Sequence, residues 1–282
     1  MMRDDWISGE AIPLSDAQLA ELGALAGRLA DAAGAAILPH FRAALAVDNK
    51  LGESGFDPVT LADRAAEAAI RELLAAERPQ DAIFGEEQGY AAGSSGLTWV
   101  IDPIDGTRAF ITGMPLWGTL IALHDGVRPV LGVMDQPYLG ERFSGSRLGA
   151  TMRRGGVARA LHTRPCAQLS QAALQCTALD MFKPGAERAA YDALAARVRL
   201  TRYSGDCYAY CMLAHGMLDL VVEADLKPYD IQALIPIIEA AGGVLSDWRG
   251  GDAQLGGQVL AAGDAALHAQ ALALLATGAE RD

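Results

Sequence analysis

The segment Trp99-Val-Ile-Asp102-Pro-Ile-Asp105-Gly-Thr107-Arg-Ala-Phe110 sets two carboxylates three residues apart, directly behind an apolar run. The proline between them stiffens the turn. Carboxylates so spaced, with the Ile104 carbonyl available between them, can supply hard oxygen ligands to Mg²⁺, which prefers such donors and retains waters. If a short helix begins near Thr107, the amides of Gly106 and Thr107 open its N-terminus and can receive phosphate oxygens. The same string also reads as an ordinary Asp-Gly turn behind a strand.

Three further acidic positions bear on that chemistry. Glu86-Glu87 follows the end of the short apolar run Ala82-Ile83-Phe84 at Gly85 and could bring one carboxylate beside Asp102, although a Glu pair alone is usually solvated. Asp63, in Asp57-Pro-Val-Thr60-Leu-Ala-Asp63, faces inward only if its helix turns that way; a capping or surface role is the alternative. Asp230, in Leu226-Lys-Pro-Tyr-Asp230, stands where a helix should begin, as an N-cap would. Pro236 costs about 3 kcal/mol in a helix interior, so that helix either starts later or kinks. His40, His124, His162, His215 and His268 lie outside all these strings and are assigned structural roles, as are Cys207 and Cys211.

These residues need elements to hold them. From Ser15 to Ala46 apolar residues recur every three and four positions, which predicts a long amphipathic helix capped by Ser15 and bent at Pro39. Residues 50–58 read as a loop and Val59 to Glu77 as a second helix. Short strands are expected at Ala82–Phe84, Trp99–Ile101, Thr119–Leu123 and Val130–Met134, with hairpin-like chemistry through Gly156. Beyond a boundary near Pro165 come a strand (Ala172–Thr177), helices (Glu187–Arg197, Cys207–His215), a strand (Leu218–Glu223), a helix from Asp230, a strand (Gly243–Ser246) and a helix (Leu267–Ala276). Hairpins in residues 1–165 and alternation in residues 166–282 predict a mixed α/β architecture of stacked sheets and helices.

Composition bounds the function. With 282 residues and 51% hydrophobic side chains the chain can bury a real core, and its net charge of −12 repels nucleic acid and anionic lipid. An anionic substrate would therefore need a bound cation between it and the protein. Cys166, Cys176, Cys207 and Cys211 form no C-x-x-C pair. With no secretory signal and no apolar run long enough to span a bilayer, buried reduced thiols in a soluble cytoplasmic protein are expected.

Taken together, Asp57-Pro-Val-Thr-Leu-Ala-Asp63, Gly85-Glu86-Glu87, Asp102-Pro-Ile-Asp-Gly-Thr107 and Tyr229-Asp230 stand in the order and approximate spacing of the inositol monophosphatase-like family. The chain resembles these metal-dependent phosphatases over nearly its whole length. The resemblance implies a layered αβαβα sandwich of the inositol monophosphatase and fructose-1,6-bisphosphatase type, two or three Mg²⁺ ions, a small phosphorylated substrate and a homodimer. It implies metal ligation by Glu86, Asp102, the Ile104 carbonyl, Asp105 and Asp230, with Asp63 near a further, weaker metal. Asp105, Gly106 and Thr107 would face the substrate. Glu86 and Thr107 would position water for in-line attack, without a phosphoenzyme.

Within the family the chain is more similar to the histidinol-phosphatase branch. Asp105-Gly-Thr-Arg-Ala-Phe-Ile-Thr-Gly-Met-Pro-Leu-Trp117 looks like that branch, whereas typical inositol monophosphatases carry Asn at the place of Ala109. Asp180-Met-Phe182, Gly205-Asp-Cys-Tyr208 and Asp225-Leu-Lys-Pro-Tyr-Asp230 point the same way. Asp206 and Glu223 are the specificity candidates, since a carboxylate there could pair with the ammonium or imidazole of histidinol phosphate; a surface helix start and a strand-end charge are the alternatives. Lys50 and Arg108 are candidates to assist with phosphate, with a solvated loop lysine the equal alternative for Lys50. Two alternatives are carried: an inositol monophosphatase or other small-molecule phosphatase, and a metal-binding regulatory relative without turnover. The intact acidic set argues against the second.

Overall fold

The computed structural model describes residues 7, 9–43, 47–49 and 58–280. Lys50 and all of the expected 50–58 loop except Pro58 lie outside them, and Pro58 opens a strand rather than ending a loop. The chain opens with α1 (Asp16–Ile37), a ribbon of β1 (Val47–Asn49) and β2 (Pro58–Thr60), and α2 (Leu61–Glu77). Next come β3 (Ala82–Gly85), β4 (Gly89–Ala91), β5 (Thr98–Asp105), α3 (Thr107–Ile111), β6 (Gly118–His124), β7 (Pro129–Gln136), β8 (Glu141–Ser146), β9 (Gly149–Arg154) and β10 (Val157–Ala160). These eight strands form one sheet in the order β10-β9-β8-β7-β6-β5-β3-β4, antiparallel throughout except for β3 beside β5.

The second sheet is built from β11 (Ala173–Gln175), α4 (Ala186–Ala195), β12 (Leu200–Arg202), α5 (Asp206–Ala214), β13 (Leu220–Leu226), α6 (Pro228–Ile231), α7 (Leu234–Ala240), β14 (Val244–Asp247), β15 (Gly257–Ala262) and α8 (Ala265–Leu275). Its order is β12-β11-β13-β15-β14, parallel across β12, β11 and β13. The period of two along the strands sorts side chains into three cores. Ile121 and Leu123 meet α1 and α2, while Leu120 and Ala122 of the same strand face α5 and α7. In β13, Val221 faces that middle core and Leu220 and Val222 face α4 and α8. The layers are therefore helix, sheet, helix, sheet, helix: the αβαβα sandwich.

Ser15 caps α1 as expected, its Oγ accepting the Gln18 N–H at 3.2 Å while Gln18 Oε1 accepts the Ser15 N–H at 2.8 Å. The expected bend at Pro39 is not seen: the helix stops at Ile37, and the end of the expected span, residues 44–46, lies outside the described residues. Pro39 lacks the N–H that another turn would use. Pro236 resolves in favour of the later start, because α7 begins at Leu234 and places the proline in a first turn whose amides have no intrahelical partner.

The α6–α7 connection sits directly on the large sheet. A Cβ built on Gly132 of β7 would lie 1.8 Å from the Ala233 carbonyl oxygen. Gly132→Ala is accordingly expected to lose about 1–3 kcal/mol of stability through overpacking and to displace the backbone that carries Asp230. Urea unfolding measures it, and an unchanged midpoint would contradict the close approach.

Candidate metal centre

β5 delivers the first two acids. Its pairing with β6 is interrupted between Asp102 and Asp105, and the break is held by side chains: the Ile104 N–H donates to Asp102 Oδ1 at 3.0 Å, and Thr119 Oγ1 donates to the Pro103 carbonyl at 2.8 Å. Thr107 Oγ1 donates to the Ile104 carbonyl at 3.1 Å, which still leaves that oxygen a lone pair. Gly106 starts α3 in the left-handed region at φ 82°, and a Cβ there would come within 3.0 Å of Asp206.

The other acids converge from separate elements. Asp230 is the third residue of α6, not an N-cap, and its Oδ2 accepts the Lys227 N–H at 2.7 Å. Carboxylate oxygens of Asp102, Asp105 and Asp230 all lie within 4.8 Å of one another. Glu86, in the turn after β3, is close enough to Asp102 for its charge to raise the Asp102 carboxyl. Asp63 faces inward and also caps its helix. One oxygen, Oδ2, accepts from the Thr60 N–H at 2.8 Å and the Thr60 hydroxyl at 2.6 Å, while Oδ1 is buried with no hydrogen-bond partner.

Crowded, desolvated carboxylates hold their protons. Burial, then Glu86, Asp105 and Asp230, push Asp102 well above the carboxylate range. Burial and Asp206 raise Asp105 to about 8. Asp230 is driven well up by burial and Asp105, and Asp63 reaches about 6 through burial, with Glu86 adding to it. Hard oxygen donors repelling one another, together with the orphaned Asp63 oxygen, suit a divalent cation. Residues able to hold it are Glu86, Asp102, Asp105, Asp230 and the Ile104 carbonyl, with Asp63 nearby.

Metal-free protein should report this crowding. A buried acid whose folded pKa exceeds its unfolded value binds extra protons when folded, so the stability present near pH 4 is lost as pH rises towards the folded pKa. In EDTA we expect Tm to be lower at about pH 8.5 than at about pH 5.5, by on the order of 5 °C. Saturating Mg²⁺ should remove the difference. A Tm in EDTA that climbs across this range would count against the crowded cluster.

The specificity candidates lie on the other side of Asp105. Its Oδ2 accepts the Cys207 N–H at 2.7 Å, which ties β5 to the start of α5. Asp206, the first residue of α5, sits at the strained φ of 45° and donates its N–H to Thr177 Oγ1 at 2.9 Å. Glu223 is no strand-end charge. It is 3% exposed inside β13, bonded to the Thr177 hydroxyl, the Thr177 N–H at 3.0 Å and the Tyr210 hydroxyl at 3.0 Å. Burial raises Glu223 to about 7 and Asp206 to about 6. Arg108 pairs with Asp180 at 3.6 Å and lowers Asp206. Thr177 and Tyr210 were not singled out from sequence; no motif marks them.

The profile of the inositol monophosphatase family matches residues 18–280. The chain belongs to the inositol monophosphatase family. It is 42% identical over 270 residues to the bifunctional phosphatase IMPL2, chloroplastic, of Arabidopsis thaliana, covering 92% of this chain and 76% of that protein. It is 36% identical to a histidinol-phosphatase of Chlorobaculum parvum, covering 92% of this chain and 97% of the relative. An inositol monophosphatase structure from Zymomonas mobilis superposes with a TM-score of 0.81 at 43% identity, covering 93% of this chain and all of that one. In this family member His124 and His268 are buried and bonded to Gln254 and Ser246. All four cysteines are buried and free. No helix among the described residues is long and apolar enough to cross a membrane.

Proposed function

We propose that this family phosphatase is a Mg²⁺-dependent histidinol-phosphate phosphatase. The near end-to-end match to a histidinol-phosphatase carries the substrate assignment, and acidic side chains beside Asp105 suit a cationic leaving group. Glu86, Asp102, Asp105, Asp230 and the Ile104 carbonyl would hold the cofactor. When bound, Mg²⁺ neutralises phosphate charge and supplies Lewis acidity. The chain's own contribution is orientation: Glu86 and the Thr107 hydroxyl align water opposite the leaving oxygen, Gly106 and Thr107 amides receive phosphate oxygens, and Asp206 faces the amine of the alcohol. No cysteine or histidine need form a covalent intermediate.

Inositol monophosphate is the alternative substrate, favoured by the 43% identity to the Zymomonas mobilis inositol monophosphatase. Phosphate release by EDTA-stripped protein, with and without Mg²⁺, should be measured on histidinol phosphate, inositol 1-phosphate, fructose 1,6-bisphosphate and a 3′,5′-bisphosphate nucleotide. Histidinol phosphate should give the highest kcat/KM, and only with Mg²⁺. A preference for inositol 1-phosphate would overturn the substrate assignment alone, and no release from any substrate would leave a non-catalytic relative.

A further inference from the structure

We propose that Glu67 is a positioning residue for the metal centre, fixing from α2 the turn that carries Glu86. The proposal rests on the phosphatase reading above. Glu67 is fully buried. Its Oε2 accepts the Glu87 N–H at 2.8 Å and its Oε1 accepts the Gln88 N–H at 3.1 Å, so the two amides after Glu86 end on one carboxylate. On the other side of Glu86, a Cβ at Gly85 would lie 2.2 Å from Glu67 Oε1; the carboxylate fills the space a side chain would need. The Glu86 N–H itself donates to the Ile101 carbonyl of β5 at 3.1 Å. The backbone of Glu86 is thus held between the strand that presents Asp102 and the carboxylate of Glu67.

The same helix face carries Asp63 one turn earlier and Arg71 one turn later. Arg71 Nε donates to Glu67 Oε1 at 2.8 Å, and its Nη2 donates to the Gly89 carbonyl at the far end of the turn. A buried carboxylate is costly without such partners, and charge-assisted bonds to amides are the stronger, more directional kind. One rigid helix therefore sets both Asp63 and, through Glu67, Glu86. Their separation is fixed before any ion arrives.

Glu67→Gln keeps the shape but turns one acceptor into a donor, so one amide loses its partner. Mg²⁺ affinity should be measured calorimetrically on EDTA-stripped protein without substrate, and kcat and KM at a temperature well below Tm. Mg²⁺ binding should weaken about 10- to 100-fold, with a comparable loss of kcat and an unchanged KM for the phosphate ester. A lowered Tm with wild-type Mg²⁺ affinity and kcat would make Glu67 merely structural and overturn the proposal. If Glu67→Gln does not fold, Glu67→Asp, which keeps the charge but withdraws it by one methylene, carries the same test. Failure of both to fold also overturns it. Wild-type protein that binds Mg²⁺ yet releases no phosphate sinks the proposed activity, and calorimetry alone then decides on Glu67.

Discussion

Asp102→Asn is expected to abolish Mg²⁺-dependent phosphate release while leaving the fold intact. Asn keeps the oxygen that accepts the Ile104 N–H, so the turn between Asp102 and Asp105 has no reason to move. It removes an anionic ligand from a cluster whose oxygens lie within 4.8 Å of one another. Lewis-acid assistance is worth several kcal/mol; at about 1.4 kcal/mol per tenfold, losing it costs on the order of a thousandfold in kcat. Asp105→Asn should behave alike in turnover but disturb the link to the Cys207 N–H. The sign on stability separates a metal ligand from a fold residue. Burial and three neighbouring carboxyls oppose the charge of Asp102, so the variant's Tm in EDTA should equal or exceed that of wild type. Near-wild-type turnover at limiting Mg²⁺, or a sharply lower Tm in EDTA, would remove Asp102 from the centre.

The acidic residues were legible as a set: Asp102 and Asp105 from their own string, and Glu86, Asp63 and Asp230, each ambiguous alone, from the order of the strings along the chain. In Asp102-Pro-Ile-Asp105 the stiff proline between two carboxylates signals an oxygen-donor turn even without knowledge of the fold. The middle of the second sheet was not legible. β15 pairs with both β13 and β14, yet Gly256-Gly257 and Gly263 bracket it and read as loop. β12 was missed for another reason: Leu200–Arg202 is an edge strand with two of its three residues exposed, so no apolar run announces it. Glu67 is the instructive omission. It lies one helical turn from Asp63, so spacing put it on the same face, but a lone Glu in a helix carries no chemical signature. Only the amides after Glu86 that it accepts from give it a purpose, and those belong to a turn distant in sequence.

Substrate choice gives the second large effect, and on the proposed reading it should divide unequally between Asp206 and Glu223. Histidinol phosphate carries an amine and an imidazole that titrates near neutrality, whereas p-nitrophenyl phosphate offers neither. Hydrogen bonds to charged groups are worth about 1.5–3 kcal/mol, so Asp206→Asn should lower kcat/KM for histidinol phosphate by about 10- to 100-fold and barely affect p-nitrophenyl phosphate. Glu223 differs because its oxygens already serve Thr177 and Tyr210. Thr177 in turn accepts the N–H of Asp206, whose φ of 45° needs external support. Glu223→Gln should therefore lose activity on the same substrate in the same direction but by less, acting through the placement of Asp206. In the double variant the losses should fall short of multiplying, since residues in one hydrogen-bonded chain couple. Equal losses on both substrates would assign these residues to the metal or the fold. Independent, fully multiplying losses would mean that Glu223 meets the substrate itself.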